Sequence, residues 1–133
     1  MIKPTIALIT ILTDDVPRLA AFYRHVVGLK PESRWDENAT HVEFEMRGVR
    51  FAICARSVLF KAIKYFEYRT PPKGRSFELA FPVDSVAEVD STYIELVSKG
   101  AQGVKGPENM PWNQRTAFFA DPDGNVHEIF ADL

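Results

Sequence analysis

The chain has 133 residues, 46% hydrophobic and 26% charged, which is one domain's worth of sequence with enough apolar residues for a sizeable core. Its net charge is −2 with acids and bases mixed along the chain, which argues against nucleic acid or an anionic membrane surface as the main partner. Cys54 is the only cysteine, so no intrachain disulfide is possible; the first apolar run is too short and too β-branched for a signal peptide or a membrane span, and the expected location is the cytoplasm.

Residues 5–12 are rich in β-branched side chains and predict a buried strand. Thr13, Asp14 and Asp15 then offer helix caps, and Pro17 sits in the first turn, where its missing N–H costs little. Val16, Leu19, Ala20, Tyr23 and Val27 fall at helical spacing, and Gly28 ends the helix. Residues 30–36 predict a short edge strand. Residues 41–46 and 49–55 alternate around Arg47-Gly48 and predict a hairpin. Residues 56–74 form a connector, apolar at helical spacing in part, which closes on Pro71-Pro72-Lys73-Gly74.

The pattern then restarts. Residues 77–81 predict a strand, and Asp84-Ser85 caps a helix with the stripe Val86, Val89, Tyr93, Leu96 and Val97. Gly100 ends it. Residues 101–105 predict a short strand and 106–113 a loop. The last two runs flank Asp121-Pro122-Asp123-Gly124, a turn signature for a closing hairpin. Asp14-Asp15-Val16 returns as Asp84-Ser85-Val86, 70 positions on, and Gly28 returns as Gly100 and Gly48 as Gly124. This is an internal repeat. It predicts an α+β fold of two tandem βαβββ modules, one over about 1–55 and one over about 75–133, forming a single domain over 1–133. Their open sheet faces are expected to curve around a shared cleft.

Twofold βαβββ, with Thr-Asp-Asp-Val-Pro-Arg and Ala-Phe-Tyr-Arg-His-Val-Val-Gly-Leu early (13–29) and Pro-Trp-Asn-Gln-Arg and Asp-Pro-Asp-Gly-Asn-Val-His-Glu-Ile-Phe late (111–130), resembles the vicinal-oxygen-chelate superfamily. That superfamily includes glyoxalase I, bleomycin-resistance proteins, fosfomycin-resistance transferases and extradiol dioxygenases. The resemblance covers essentially the whole chain. It implies a divalent metal chelated from four equivalent strand positions, which the repeat locates here at Leu8, Ala52, Glu78 and Glu128. Leucine and alanine cannot ligate, so no complete metal site is expected within one chain; if a metal binds, Glu78 and Glu128 are its protein ligands.

A carboxylate in a strand fit for burial is costly unless solvated, paired or bound. Glu128 and Glu78 are therefore the candidate catalytic or ligand-binding acids. If they face one cleft, their repulsion should raise the pKa of at least one. Arg50 falls on the Ala52 side of its strand and is a candidate neutraliser. The expected ligand-binding lining is Ile6, Leu8, Thr10, Arg50, Ala52, Glu78, Trp112, Glu128 and Phe130, with Trp112 as a lid or a loop anchor. His25 is expected on an exposed helix face, His127 on the face opposite Glu128, His41 at the opening of a strand, with the cleft as its minority reading, and Cys54 in the core. Within that resemblance, the apolar replacement of two ligand positions points to a small-molecule binding protein like the bleomycin-resistance members, with no cofactor expected, a divalent metal as the open alternative and a homodimer as the expected assembly. The alternative is a glyoxalase-like lyase or isomerase, or a dioxygenase, using Glu78 and Glu128. A third reading is a partner or regulatory domain whose aromatic connector, residues 57–68, is its contact surface.

Overall fold

The computed structural model describes residues 1–133. Two compact units divide the chain, Met1–Pro72 and Lys73–Leu133. Each is a mixed sheet backed by a helix.

In the first unit β1 (Leu8–Thr13) leads into α1 (Val16–Phe22), and a wider π-helical turn, Tyr23–Val27, extends it. Asp15 caps the helix, its carboxylate accepting from the Arg18 amide at 3.1 Å. Gly28, at φ +89°, ends it in a left-handed conformation that glycine adopts without a Cβ penalty. β2 (His41–Phe44) and β3 (Arg50–Ala55) follow as the expected hairpin. The sheet order is β1-β3-β2, with β1 parallel and β2 antiparallel to β3. The helix covers one face, where Tyr23 meets Phe44 and Phe51 at ring-centroid distances of 6.3 and 5.1 Å. Leu19, Ala20, Tyr23, Phe44 and Ile53 are fully buried there.

The edge strand expected at 30–36 shrinks to one bridge, Pro31 to Phe44. Proline has no N–H to continue a ladder, and only the flanking Glu32 amide and Lys30 carbonyl bond to Glu43 and Glu45. The connector folds as α2 (Arg56–Ile63) and a short 3₁₀ turn, Phe66–Arg69. Arg56 is buried and donates to Asp14 at 3.2 Å, tying α2 to the start of α1. Arg69 lies over both Phe60 and Phe66, and Phe66 is still largely exposed.

The second unit runs β4 (Ala80–Pro82), α3 (Val86–Ser98), β5 (Gln102–Met110), β6 (Gln114–Ala120) and β7 (Val126–Asp132). Its order is β4-β7-β6-β5, with β4 parallel to β7. Ser85 caps α3 as expected, accepting from the Glu88 amide at 3.2 Å, while the Glu88 carboxylate accepts from the Asp84 amide at 2.9 Å. Val89 and Leu96 bury the helix stripe against the face that carries Ala117, Phe119 and Ile129.

Two expectations are corrected here. The strand placed at 77–81 begins only at Ala80, so Glu78 precedes it. The loop placed at 106–113 is strand as far as Met110. Gly103, Gly106 and Pro107 hide the alternation, and two register shifts between Gly103 and Glu108 absorb them. The β5–β6 turn is then tight, with Asn113 at φ 65°.

Candidate functional site

β7 alternates between two different surroundings. His127, Ile129 and Ala131 face α3, and all are buried. The His127 Nδ1 accepts from the Leu79 amide at 3.1 Å, which places the ring proton on Nε2. Its ring sits edge-on to Phe81 and Phe119. Burial pushes its pKa below the usual histidine value of 6.5, against the opposing pull of Asp121. His127 is thus a core residue, on the side expected.

Glu128 points the other way. Its backbone N–H donates to the Leu79 carbonyl at 2.9 Å, and its register partners are Ala80 on β4 and Phe118 on β6. It is 9% exposed. Burial raises its pKa above 4.5, and the charge of Glu78 raises it further. Glu78 stands two residues before Ala80, the register partner of Glu128. Glu78 itself is exposed. Glu128 therefore senses Glu78, but burial does more to it than repulsion.

These shifts have opposite consequences for stability. Glu128 is protonated more readily folded than unfolded, so its contribution is present below pH 4.5 and is lost as pH rises through the folded pKa. His127 is protonated less readily folded, so its contribution is present above pH 6.5 and is lost as pH falls through that value toward the folded pKa. Glu128→Gln should therefore unfold at higher urea than the parent at neutral pH, with the gain shrinking toward pH 4.5. A gain that stays constant across a urea series at stepped pH would show that Glu128 ionisation is not its source.

In the first unit the sheet face opposite α1 carries Leu8, Thr10, Arg50, Ala52 and Cys54, with Leu8 beside Arg50 and Thr10 beside Ala52. The registers agree with the repeat: Thr10 faces Ala52 as Ala80 faces Glu128. Leu8 and Ala52 are the counterparts of Glu78 and Glu128. Ala52 is fully buried and Leu8 is 40% exposed. Arg50 is held by Glu43 through two hydrogen bonds, at 2.7 and 3.3 Å. Glu43, opposite Ala52 on β2, is the acid that sequence reasoning passed over. Its signal was the alternation His41, Glu43, Glu45, which sets three polar side chains on the Ala52 side. Arg50 and a hydrogen bond from Glu32 lower the Glu43 pKa, while Glu43 raises that of Glu32.

The other candidates separate. His41 is exposed and stands opposite Cys54. His25 is exposed and meets Trp35 edge-on. Cys54 is buried, which raises its thiol pKa. Trp112 caps the β5–β6 turn and is exposed, while Phe130 is half-buried on the Glu128 face. A concavity of about 340 Å³ in the first unit, lined by Arg24, Leu29, Lys30, Pro31, Ser33 and Trp35, holds none of the expected site residues. Arg24 there stacks over Trp35, and Lys30 pairs with Glu45.

The four strand positions do not fit a chelated metal. Two of them are apolar side chains, and no group of three or more His, Cys, Asp or Glu is arranged to hold an ion. No helix is long and apolar enough to cross a membrane.

The family described as the glyoxalase/bleomycin resistance protein/dioxygenase superfamily matches residues 5–129. An uncharacterised protein of Bacillus subtilis (strain 168), YraH, is 28% identical over 127 residues, 94% of this chain and 96% of that protein. The crystal structure of a glyoxalase/bleomycin resistance protein/dioxygenase from Nocardioides is similar with a TM-score of 0.85 and 28% identity, over 100% of this chain and 86% of that one. A family enzyme from Burkholderia phytofirmans PsJN has the same fold, with a TM-score of 0.84 at 23% identity over 97% of this chain and 99% of that one.

Proposed function

Because the chain belongs to the glyoxalase/bleomycin resistance protein/dioxygenase superfamily, we propose that it is a small-molecule binding protein resembling the bleomycin-resistance members and that it works without a complete metal site in one chain. The observation that carries this reading is the replacement of two of the four chelating positions by Leu8 and Ala52, the second fully buried with no donor to offer. Of the two remaining acids, Glu78 is exposed, whereas Glu128 is mostly enclosed and shares its face with Phe118 and Phe130. Such a surface suits an organic ligand with an apolar body and a cationic or hydrogen-donating group. Leu8, Thr10, Arg50, Ala52, Glu78 and Trp112 complete the proposed ligand-binding set, and the working assembly is a cytoplasmic homodimer.

Calorimetric titration with nickel, zinc, iron and manganese tests the reading. The expected result is no binding at micromolar or tighter affinity. A tight, stoichiometric ion would overturn it. Native mass spectrometry of the purified protein reports co-purified ligand and subunit number together.

One observation favours an enzymatic alternative. Glu128 combines enclosure, a neighbouring acid and a raised pKa, which is the setting of a general acid or base. A glyoxalase-like lyase or isomerase, or a dioxygenase, would lose turnover in Glu128→Gln. Unchanged turnover of every active substrate removes Glu128 from any mechanism.

A further inference from the structure

On the face that carries Glu128, β6 and β7 set four side chains in a square. Thr116 stands opposite Phe130, and Phe118 stands opposite Glu128. Alternation along the two strands turns all four to one side. The polar pair, Thr116 and Glu128, occupies one diagonal and the aromatic pair the other. Diagonal neighbours on a sheet lie about 7–8 Å apart, and the long glutamate side chain shortens that gap. One small group over the centre can then reach both polar corners.

Thr116 is 0% exposed, and its hydroxyl is a buried side-chain group without a hydrogen-bond partner. Leaving such a hydroxyl unpaired is unfavourable. Packing alone does not call for it, because valine fills the same volume without the polar atom. The hydroxyl marks a position where a partner belongs. Glu128 keeps a little exposure and the two rings are half-buried, so the square is approached past them.

We propose that this square seats the ammonium group of an organic amine, whose N–H donors meet the Thr116 hydroxyl and the Glu128 carboxylate while its charge faces the rings of Phe118 and Phe130. The inference rests on the small-molecule-binding reading and names the ligand class. A cation satisfies all four corners: carboxylate by charge, hydroxyl by hydrogen bond, ring faces by their negative quadrupole. A carbonyl or carboxylate ligand would satisfy Thr116 alone and would set negative charge against the other three. Glu78, exposed and two residues before Ala80, the register partner of Glu128, adds a second acid that attracts a cation. Thr116 is in this account a specificity-determining residue.

The test uses phenethylamine, with phenethyl alcohol and phenylacetate as its neutral and anionic counterparts, followed by amide NMR on the full chain. Phenethylamine should shift the amides of Thr116, Phe118, Glu128 and Phe130 saturably, with the alcohol at least about tenfold weaker. Thr116→Val should raise the Tm, since it removes an unpaired hydroxyl, yet weaken the amine by about tenfold; Thr116→Ser should restore binding. If Thr116→Val raises the Tm and leaves amine affinity unchanged, the hydroxyl has no ligand role and the inference falls. If the alcohol or phenylacetate binds the square as tightly as the amine and loses affinity in Glu128→Gln, the amine assignment falls while the small-molecule reading stands. If none of the three shifts the square saturably, both fall.

Discussion

Phe119→Ala lowers the stability of the protein by about 3–5 kcal/mol, the range for emptying a buried phenylalanine site. Phe119 is 0% exposed at the centre of the second unit. Its ring stands 6.3 Å from Phe81 and 5.8 Å from His127, so it touches β4, β6 and β7 at once. Removing it leaves a void among rigid strands that cannot close over it. The effect extends to the site, because His127 precedes Glu128 and its Nδ1 holds the Leu79 amide beside the Glu128 backbone bond. Phe119→Leu keeps most of the volume and should cost less than about 1.5 kcal/mol. Urea titrations of the two variants check both values. Equal, small losses would mean that the core is looser than this packing.

Asp121→Ala lowers stability by about 2–4 kcal/mol, since hydrogen bonds to a charged acceptor contribute about 1.5–3 kcal/mol each and are not additive. The Asp121 carboxylate is buried. One oxygen accepts from the amides of Asp123 and Asn125, at 3.0 and 2.9 Å, and the other from the Asn125 side chain at 2.8 Å. Alanine strands those donors in the turn that joins β6 to β7. Arg75 grips the same turn from outside, donating to the carbonyls of Gly124 and Asp123 at 2.6 and 3.0 Å. Gly124 has φ +83°, and a Cβ there would lie 2.5 Å from the Arg75 guanidinium. Asp121→Asn keeps the acceptor that serves both amides and should lose less than the alanine variant. If thermal melts place the two variants together, the charge rather than the hydrogen-bond geometry holds the turn.

Much of the fold was legible from local pattern. The caps at Asp15 and Ser85 and the end of the first helix at Gly28 depend on residues adjacent in sequence, and the structure has them as expected. What escaped were elements whose pairing overrides their composition. β5 runs through Gly103, Gly106 and Pro107 because β6 supplies a ladder beside it. The strand expected at 30–36 fails at Pro31 because its neighbour cannot receive a missing N–H. The candidate site divides in the same way. Glu128 was identifiable as one awkward acid in an apolar strand, and its raised pKa has burial as its first cause and Glu78 as its second. The Glu43 partner of Arg50 was not legible, because Glu43 comes within reach only when β2 pairs with β3.

The sequence by itself determined the repeat, the family and the apolar character of Leu8 and Ala52, because residue type and spacing are enough to establish these. Only the tertiary structure decided that the Thr116 hydroxyl is buried without a hydrogen-bond partner, that Phe118 stands opposite Glu128 and that Arg50 is held by Glu43. Those facts depend on cross-strand register and burial. Both arise when distant segments pair, and no local pattern encodes them.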